Sequence, residues 1–173
     1  KEAALFVPTG TQSNLCGLMA HCQRGDEYLV GQMAHTYRWE GGGAAVLGSI
    51  QPQPLTQGAD GTMSLQDIEA AIKPDDPHYA CTRLLALENT WGGNILPLSY
   101  IEQATALARE KGLATHLDGA RLFNALWPIH AAKVGGLAWK LTILLSGLSL
   151  AAVSLYGGEA SRKRLFPEKR AAA

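Results

Sequence analysis

The chain has 173 residues, and its fifteen basic and fifteen acidic side chains cancel. Nothing in that balance points to a nucleic-acid or anionic-membrane partner. With 47% hydrophobic and 17% charged residues it has the composition of a globular domain with a real core, which excludes a disordered or low-complexity segment. Cys16, Cys22 and Cys81 are odd in number and lack metal-ligand spacing, so they predict reduced, buried thiols in a cytoplasmic protein. No secretory signal is legible.

Strand and helix signals alternate along the chain. The apolar run 3–7 predicts a strand, and Pro8-Thr9-Gly10-Thr11 turns it into a helix over 11–23. A strand follows at 27–31, a helix at 35–41 and a strand at 49–54. Ser64, with Asp67 three residues on, is a credible cap for a helix over 64–72. After a strand at 83–88 comes the clearest helix, 98–111. Its Ile101, Ala104, Leu107 and Ala108 share one face, and Gly112 stops it. A strand over 113–118 and a helix over 120–127 complete the regular part. From Leu141 to Gly158 there is no charge, a length at the lower limit of a membrane span. Interrupting serines and glycines favour two short strands, 141–145 and 152–156, and no membrane partner is expected. Arg162-Lys163-Arg164 and Lys169-Arg170 make a basic tail, read as a solvated helix end. The alternation implies an α/β layer fold with a largely parallel sheet.

Two segments carry chemistry. His116-Leu117-Asp118-Gly119-Ala120-Arg121 ends a short apolar strand on a carboxylate. Such a charge needs a partner, and ligands of open α/β sheets sit beyond the carboxyl ends of the strands. An Asp there is placed to pair with a protonated ring nitrogen, as in pyridoxal phosphate (PLP) enzymes. The competing reading is a cap for the helix starting near Ala120. Pro8-Thr9-Gly10-Thr11-Gln12-Ser13-Asn14 is a glycine turn at a helix start, which suits a phosphate, although an ordinary turn has the same pattern. Its spacing is neither that of a Walker loop nor of a GxGxxG fingerprint.

The stretches Lys1-Glu2-Ala3-Ala4-Leu5-Phe6-Val7-Pro8-Thr9-Gly10-Thr11, Ala34-His35-Thr36-Tyr37-Arg38-Trp39-Glu40, Ala45-Val46-Leu47-Gly48-Ser49, Leu87-Glu88-Asn89-Thr90 and Leu117-Asp118-Gly119-Ala120-Arg121-Leu122-Phe123-Asn124-Ala125 resemble the low-specificity L-threonine aldolases. Those are PLP enzymes of fold type I, in the superfamily of aromatic amino acid beta-eliminating lyases and threonine aldolases. The resemblance is clear over 1–126 and divergent over 127–173. It implies one partial PLP-binding large domain, three-layer α/β/α with a mostly parallel sheet, truncated at both ends. The implied activity is retro-aldol cleavage of L-threonine or L-allo-threonine, a β-hydroxy-α-amino acid, to glycine and acetaldehyde. A cytoplasmic homotetramer without metal or nucleic acid is implied for the full-length family.

Residue by residue, the resemblance makes Gly10 and Thr11 the phosphate cradle and Asp118 the partner of the pyridine nitrogen. It stacks His35 on the ring and places His78 near the substrate hydroxyl. It gives Arg121 a cofactor contact, one helical turn past Asp118, and brings Glu40 near the ring. From the residues alone, the alternative readings are a helix-start histidine without a role for His35, an exposed loop histidine for His78 and a surface ion-pair residue for Arg121.

The chain departs from the family pattern at two places. Trp91 stands where the family has a His after Leu87-Glu88-Asn89-Thr90. The family's Leu-Ser-Lys-Gly-Leu-Gly is matched by Leu145-Ser146-Gly147-Leu148-Ser149, with no lysine after Ser146. Lys140 is six residues earlier, roughly 20 Å along a strand, and Lys163 lies in the basic tail. The lyase of the family is therefore expected to be inactive in this chain. A related PLP β-eliminating lyase and an inactive, weakly PLP-binding fragment are the alternative readings.

Overall fold

The computed structural model describes residues 4–122, which fall within one compact unit, 1–125. Four strands make a single sheet: β1 (Asp26–Gly31), β2 (Gln51–Leu55), β3 (Cys81–Glu88) and β4 (Ala114–Asp118). Their order is β2-β1-β3-β4, and every pairing is parallel. The two central strands are buried almost throughout, as expected of parallel strands covered on both faces.

Side-chain alternation sorts the core into two layers. Leu29, Leu85 and Leu87 point to one face, where Ile68 of α4 (Leu65–Ala71) and Ala104 and Ala108 of α5 (Leu98–Glu110) cover them. Tyr28, Val30, Leu84 and Ala86 point to the other, beneath Leu18 of α1 (Gly10–His21) and Ala44 of α3 (Gly43–Val46). The α2 helix (His35–Arg38) is a single turn after β1. The fold is thus three-layer α/β/α. The chain passes from β1 outward to β2, then back across β1 to β3. That reversal makes a switch point between β1 and β3, and a crevice opens beyond their carboxyl ends.

At the amino end of β1 lies a fully buried Glu27. It accepts from Thr82 Oγ1 and Gln51 Nε2, both at 3.0 Å, with Lys73 Nζ at 3.6 Å. These partners answer a charge that burial would otherwise penalise.

The predicted elements need several corrections. Residues 4–7 form no strand, and Leu5 and Phe6 are 79% and 94% exposed. Their apolar run satisfies the local pattern of a strand, but no backbone among the described residues pairs with it. The helix expected over 35–41 ends at Arg38. Gly41 and Gly42, both at positive φ, separate it from α3, which the triple glycine concealed. The helices expected at 64–72 and 98–111 and the strand at 113–118 sit within a residue of expectation. Ser64 Oγ accepts from Asp67 N as its cap. Of the three cysteines expected to be buried, only Cys22 is, and burial pushes its thiol up to about 11; Cys16 and Cys81 are exposed. No helix among the described residues is long and apolar enough to cross a membrane. The elements predicted at 141–145 and 152–156, most of the helix at 120–127 and the position after Ser146 lie outside the described residues.

The contrast between β3 and the amino-terminal run is measurable by urea denaturation. Leu85→Ala should lower stability by about 2–5 kcal/mol through lost burial and a cavity. Phe6→Ala should change it by no more than about 0.5 kcal/mol.

Candidate active site

Three strand ends and one helix start converge at the carboxyl edge of the sheet. The loop after β1 delivers His35. Its path is fixed by Gln57, whose Oε1 accepts from Met33 N at 2.9 Å and whose Nε2 donates to Gly61 O at 3.1 Å. Gly31 makes room for that carboxamide, because any Cβ there would collide with it. The end of β3 delivers Glu88, the end of β4 delivers Asp118, and the start of α1 delivers Gly10 and Asn14.

Asp118 is 4% exposed. Its Oδ1 accepts from Ala120 N at 3.0 Å, which is the cap, and its Oδ2 accepts from Asn14 Nδ2 at 2.9 Å. Asn14 Nδ2 donates also to Glu40 Oε1 at 2.8 Å, and Asn14 Oδ1 meets His116 Nε2 at 3.1 Å. Glu40 Oε1 in turn holds His35 Nδ1 at 2.9 Å. A carboxylate only accepts, so the hydrogen of that bond belongs to Nδ1, and Nε2 is the ring nitrogen left on the other side from Glu40. Glu88 accepts from His35 N and from an Arg121 guanidinium nitrogen, each at 2.8 Å. Burial pushes the Glu88 carboxyl up, Asp118 adds to the effect, and Arg121 opposes it.

Two cavities flank this network. A cleft of about 620 Å³ is lined by Met33, His35, Trp39, Glu88, Trp91, Gly92, Gly93 and Arg121. A smaller one of about 290 Å³ is lined by Gly10, Ser13, Asn14, His116, Asp118 and neighbours. The larger is of small-molecule size and opens at the switch point. Trp91 is fixed as its wall, with Nε1 donating to Met33 O at 3.2 Å and the indole lying against Gly61.

Six of the seven residues singled out from sequence, Glu40 among them, gather at this edge, though not equally. Gly10 and Asp118 line the same small cavity; Thr11 is exposed, one residue into α1. Thr9, not Thr11, supplies the capping hydroxyl, accepting from Gln12 N at 3.1 Å. His35 and Arg121 line the large cleft. His78 is elsewhere. It precedes Cys81 at the amino end of β3, bonds Asp76 at 2.6 Å and is 86% exposed. The whole length of β3, over 20 Å at about 3.3 Å per residue, separates it from Glu88 within this chain.

Sequence reasoning missed Asn14, Glu88 and His116 as parts of the site. Two of them carried a readable signal. Asn14 shares the buried stripe of α1 with Leu18, four residues on, and a polar residue on an apolar stripe needs a partner. Glu88 ends an apolar strand on a carboxylate, as Asp118 does. His35, Glu40 and Asp118 also bring potential metal-ligand atoms within 4.8 Å of one another. The Asn14 amide already directs its hydrogens at both carboxylates of that group.

A parallel sheet with a switch-point cleft, strand-end carboxylates and a glycine turn opening a helix defines an α/β enzyme domain. The chain belongs to the beta-eliminating lyase family, whose sequence model matches residues 1–145. It is 60% identical over 126 residues to the low specificity L-threonine aldolase of Escherichia coli K12, covering 73% of this chain and 38% of that protein. It is 46% identical over 133 residues to low-specificity L-threonine aldolase 1 of Arabidopsis thaliana, covering 72% and 37%. The solved threonine aldolase of Leishmania major superposes with a TM-score of 0.58 at 28% identity, over 65% of this chain and 33% of the other. The chain therefore spans under two fifths of the length of these curated relatives.

The His116 ring should make stability pH-dependent. Burial holds its pKa down against the pull of Asp118 and Glu40. A histidine with a lowered folded pKa stabilises fully above its unfolded value, about 6.5, and that contribution is lost as pH falls through the folded value. Stability measured by urea denaturation should thus fall as pH drops below about 6.5. In His116→Gln the fall should be shallower by up to about 1.4 kcal/mol per pH unit, one proton's worth. An equal slope in both proteins would contradict this.

Proposed function

We propose that this chain is the cofactor-binding part of a PLP-dependent aldehyde-lyase that splits L-threonine and L-allo-threonine into glycine and acetaldehyde. We propose further that the chain itself holds the cofactor without completing the reaction. The observation that carries the first reading is the buried Asp118 carboxylate beside Gly10, at a strand end with a helix amino terminus facing it. The second rests on the absence of a lysine after Ser146.

The donor set fits the group. Gly10 and Thr11 open α1, where backbone N–H groups and the helix dipole favour a phosphate. Asp118 is a buried anion suited to keeping a ring nitrogen protonated. When bound, PLP supplies an electron-withdrawing ring that accepts the electrons of the breaking Cα–Cβ bond. The remaining work falls to side chains. His35 offers a flat face for stacking, and Nε2 takes the substrate hydroxyl proton, with Glu40 holding Nδ1 and stabilising the charge that forms. Arg121, anchored on Glu88, presents a cation at the cleft wall. Trp91 and Trp39 line the same cleft and give it apolar walls. His78 takes no part in this arrangement within one chain, so the proton transfer is assigned to His35. In the complete protein this domain belongs to a cytoplasmic homotetramer acting on β-hydroxy-α-amino acids.

Purified chain mixed with PLP should bind it, with an affinity that Asp118→Asn lowers at least about tenfold, or about 1.4 kcal/mol. It should yield no borohydride-stable lysine adduct and release no acetaldehyde from threonine. Binding indifferent to Asp118→Asn would overturn the cofactor reading. Modified Lys140 or Lys163 in a peptide map, together with acetaldehyde release, would overturn the second. In a chain extended to the relatives' length with a lysine restored after Ser146, Asp118→Asn should reduce cleavage by about 10²–10³-fold, the scale of a lost transition-state contact.

A further inference from the structure

We infer that Asn14 is the positioning residue of this site: one buried carboxamide sets the orientation of both Asp118 and, through Glu40, His35. The inference rests on the PLP reading for its purpose and on geometry alone for its substance. The carboxamide has two N–H donors and one acceptor oxygen, and all three are used inward. Nδ2 donates to Glu40 Oε1 at 2.8 Å and to Asp118 Oδ2 at 2.9 Å, and Oδ1 faces His116 Nε2 at 3.1 Å. Turning the amide over would set its oxygen against two carboxylates, so their charge fixes its orientation. The same logic fixes His116. Asn14 Oδ1 accepts, so the His116 hydrogen is on Nε2.

Neither carboxylate has an easy substitute for this amide. Asp118 and the Glu40 side chain are each 4% exposed, and two like charges in a buried place repel unless a donor stands between them. No buried side-chain N or O atom among the described residues lacks a partner, so removal of the amide leaves at least one carboxylate oxygen short. The amide is also rigidly mounted. It projects from α1, and Gly17 of the same helix seats the His116 ring so closely that a Cβ would lie 2.7 Å from it. One helix therefore carries Gly10 at its start and, one turn later, the group that aims the strand-end carboxylate. Asn14 lines the small cavity, and its bond to Glu40 reaches the histidine of the large one.

The test has two arms, on the full chain. In the first, the His116 ring is observed by NMR with ¹⁵N-labelled histidine. The wild-type ring should be neutral near about pH 7 with its hydrogen on Nε2. Asn14→Asp, the same shape with a charge in place of the donors, should add a third carboxylate to the two facing His116. With His21 the cation-forming group that opposes them among the described residues, the ring should then titrate at higher pH. In the second arm, PLP affinity is measured by equilibrium dialysis. Asn14→Ala and Asn14→Asp should each lower it at least about tenfold, and Asn14→Ala should remove most of the further effect of Asp118→Asn, a non-additive pair. A wild-type hydrogen on Nδ1 overturns the inference without any variant. So does PLP affinity within about twofold of wild type in both folded variants, or full additivity with Asp118→Asn. If wild type binds PLP without dependence on Asp118, the cofactor reading fails, and the His116 arm still decides the role of Asn14.

Discussion

The carboxyl edge of this sheet depends on how a buried anion is answered. Asp118 ends β4 with almost no access to water, and each of its oxygens meets a donor from a different direction: the backbone of the following turn, and the Asn14 amide across the cavity. The first is local and comes with the chain's own turn. The second spans 104 residues of sequence and forms only when α1 packs on the sheet face made by Tyr28, Val30, Leu84 and Ala86. The geometry of the site is therefore a product of core packing. A helix held by Leu18 and Cys22 brings Gly10 and Asn14 to the place where a ligand can use them.

A second consequence follows from the topology. The cleft sits where β1 and β3 part company; its acidic wall is Glu88, the last residue of β3, and its basic wall is Arg121, three residues past the end of β4. Glu88 ties them together, since its two oxygens hold the His35 backbone on one side and Arg121 on the other. A carboxylate kept partly against its ionised form by burial, yet gripping a guanidinium, makes a stiff joint at the mouth of the crevice.

Much of this was legible from residues. The alternation of elements gave a parallel α/β sheet because central strands in such sheets are apolar on both faces, and 27–31 and 83–88 are. The helix at 98–111 declared its buried face by spacing and its end by Gly112. The carboxylate at Asp118 stood out because a charge ending an apolar strand needs a partner. What stayed hidden was of three kinds. The run 4–7 has a strand's composition, yet pairing is a property of neighbours and not of composition. The turn of α3 lay behind glycines that read as loop. The partners of Asp118 were out of view because hydrogen bonds such as Asn14 to Glu40 or His116 to Asn14 join residues far apart in sequence. His78 shows the converse: a residue can match a pattern and still sit at the opposite end of its strand from the cluster.

The edge strand β2 carries one more implication. Leu55 O accepts from Gln32 N, so Leu55 turns its backbone toward β1, and by alternation Gln51 and Gln53 do likewise. Pro52 and Pro54 then occupy the outward positions, where they present no N–H to an approaching chain. That margin is chemically blunted against strand addition and the aggregation it seeds. β4, at the opposite margin of the described strands, has no proline, and Leu117 is 43% exposed. Among the described residues the margin without such prolines is β4, and it ends on the carboxylate on which the site is built.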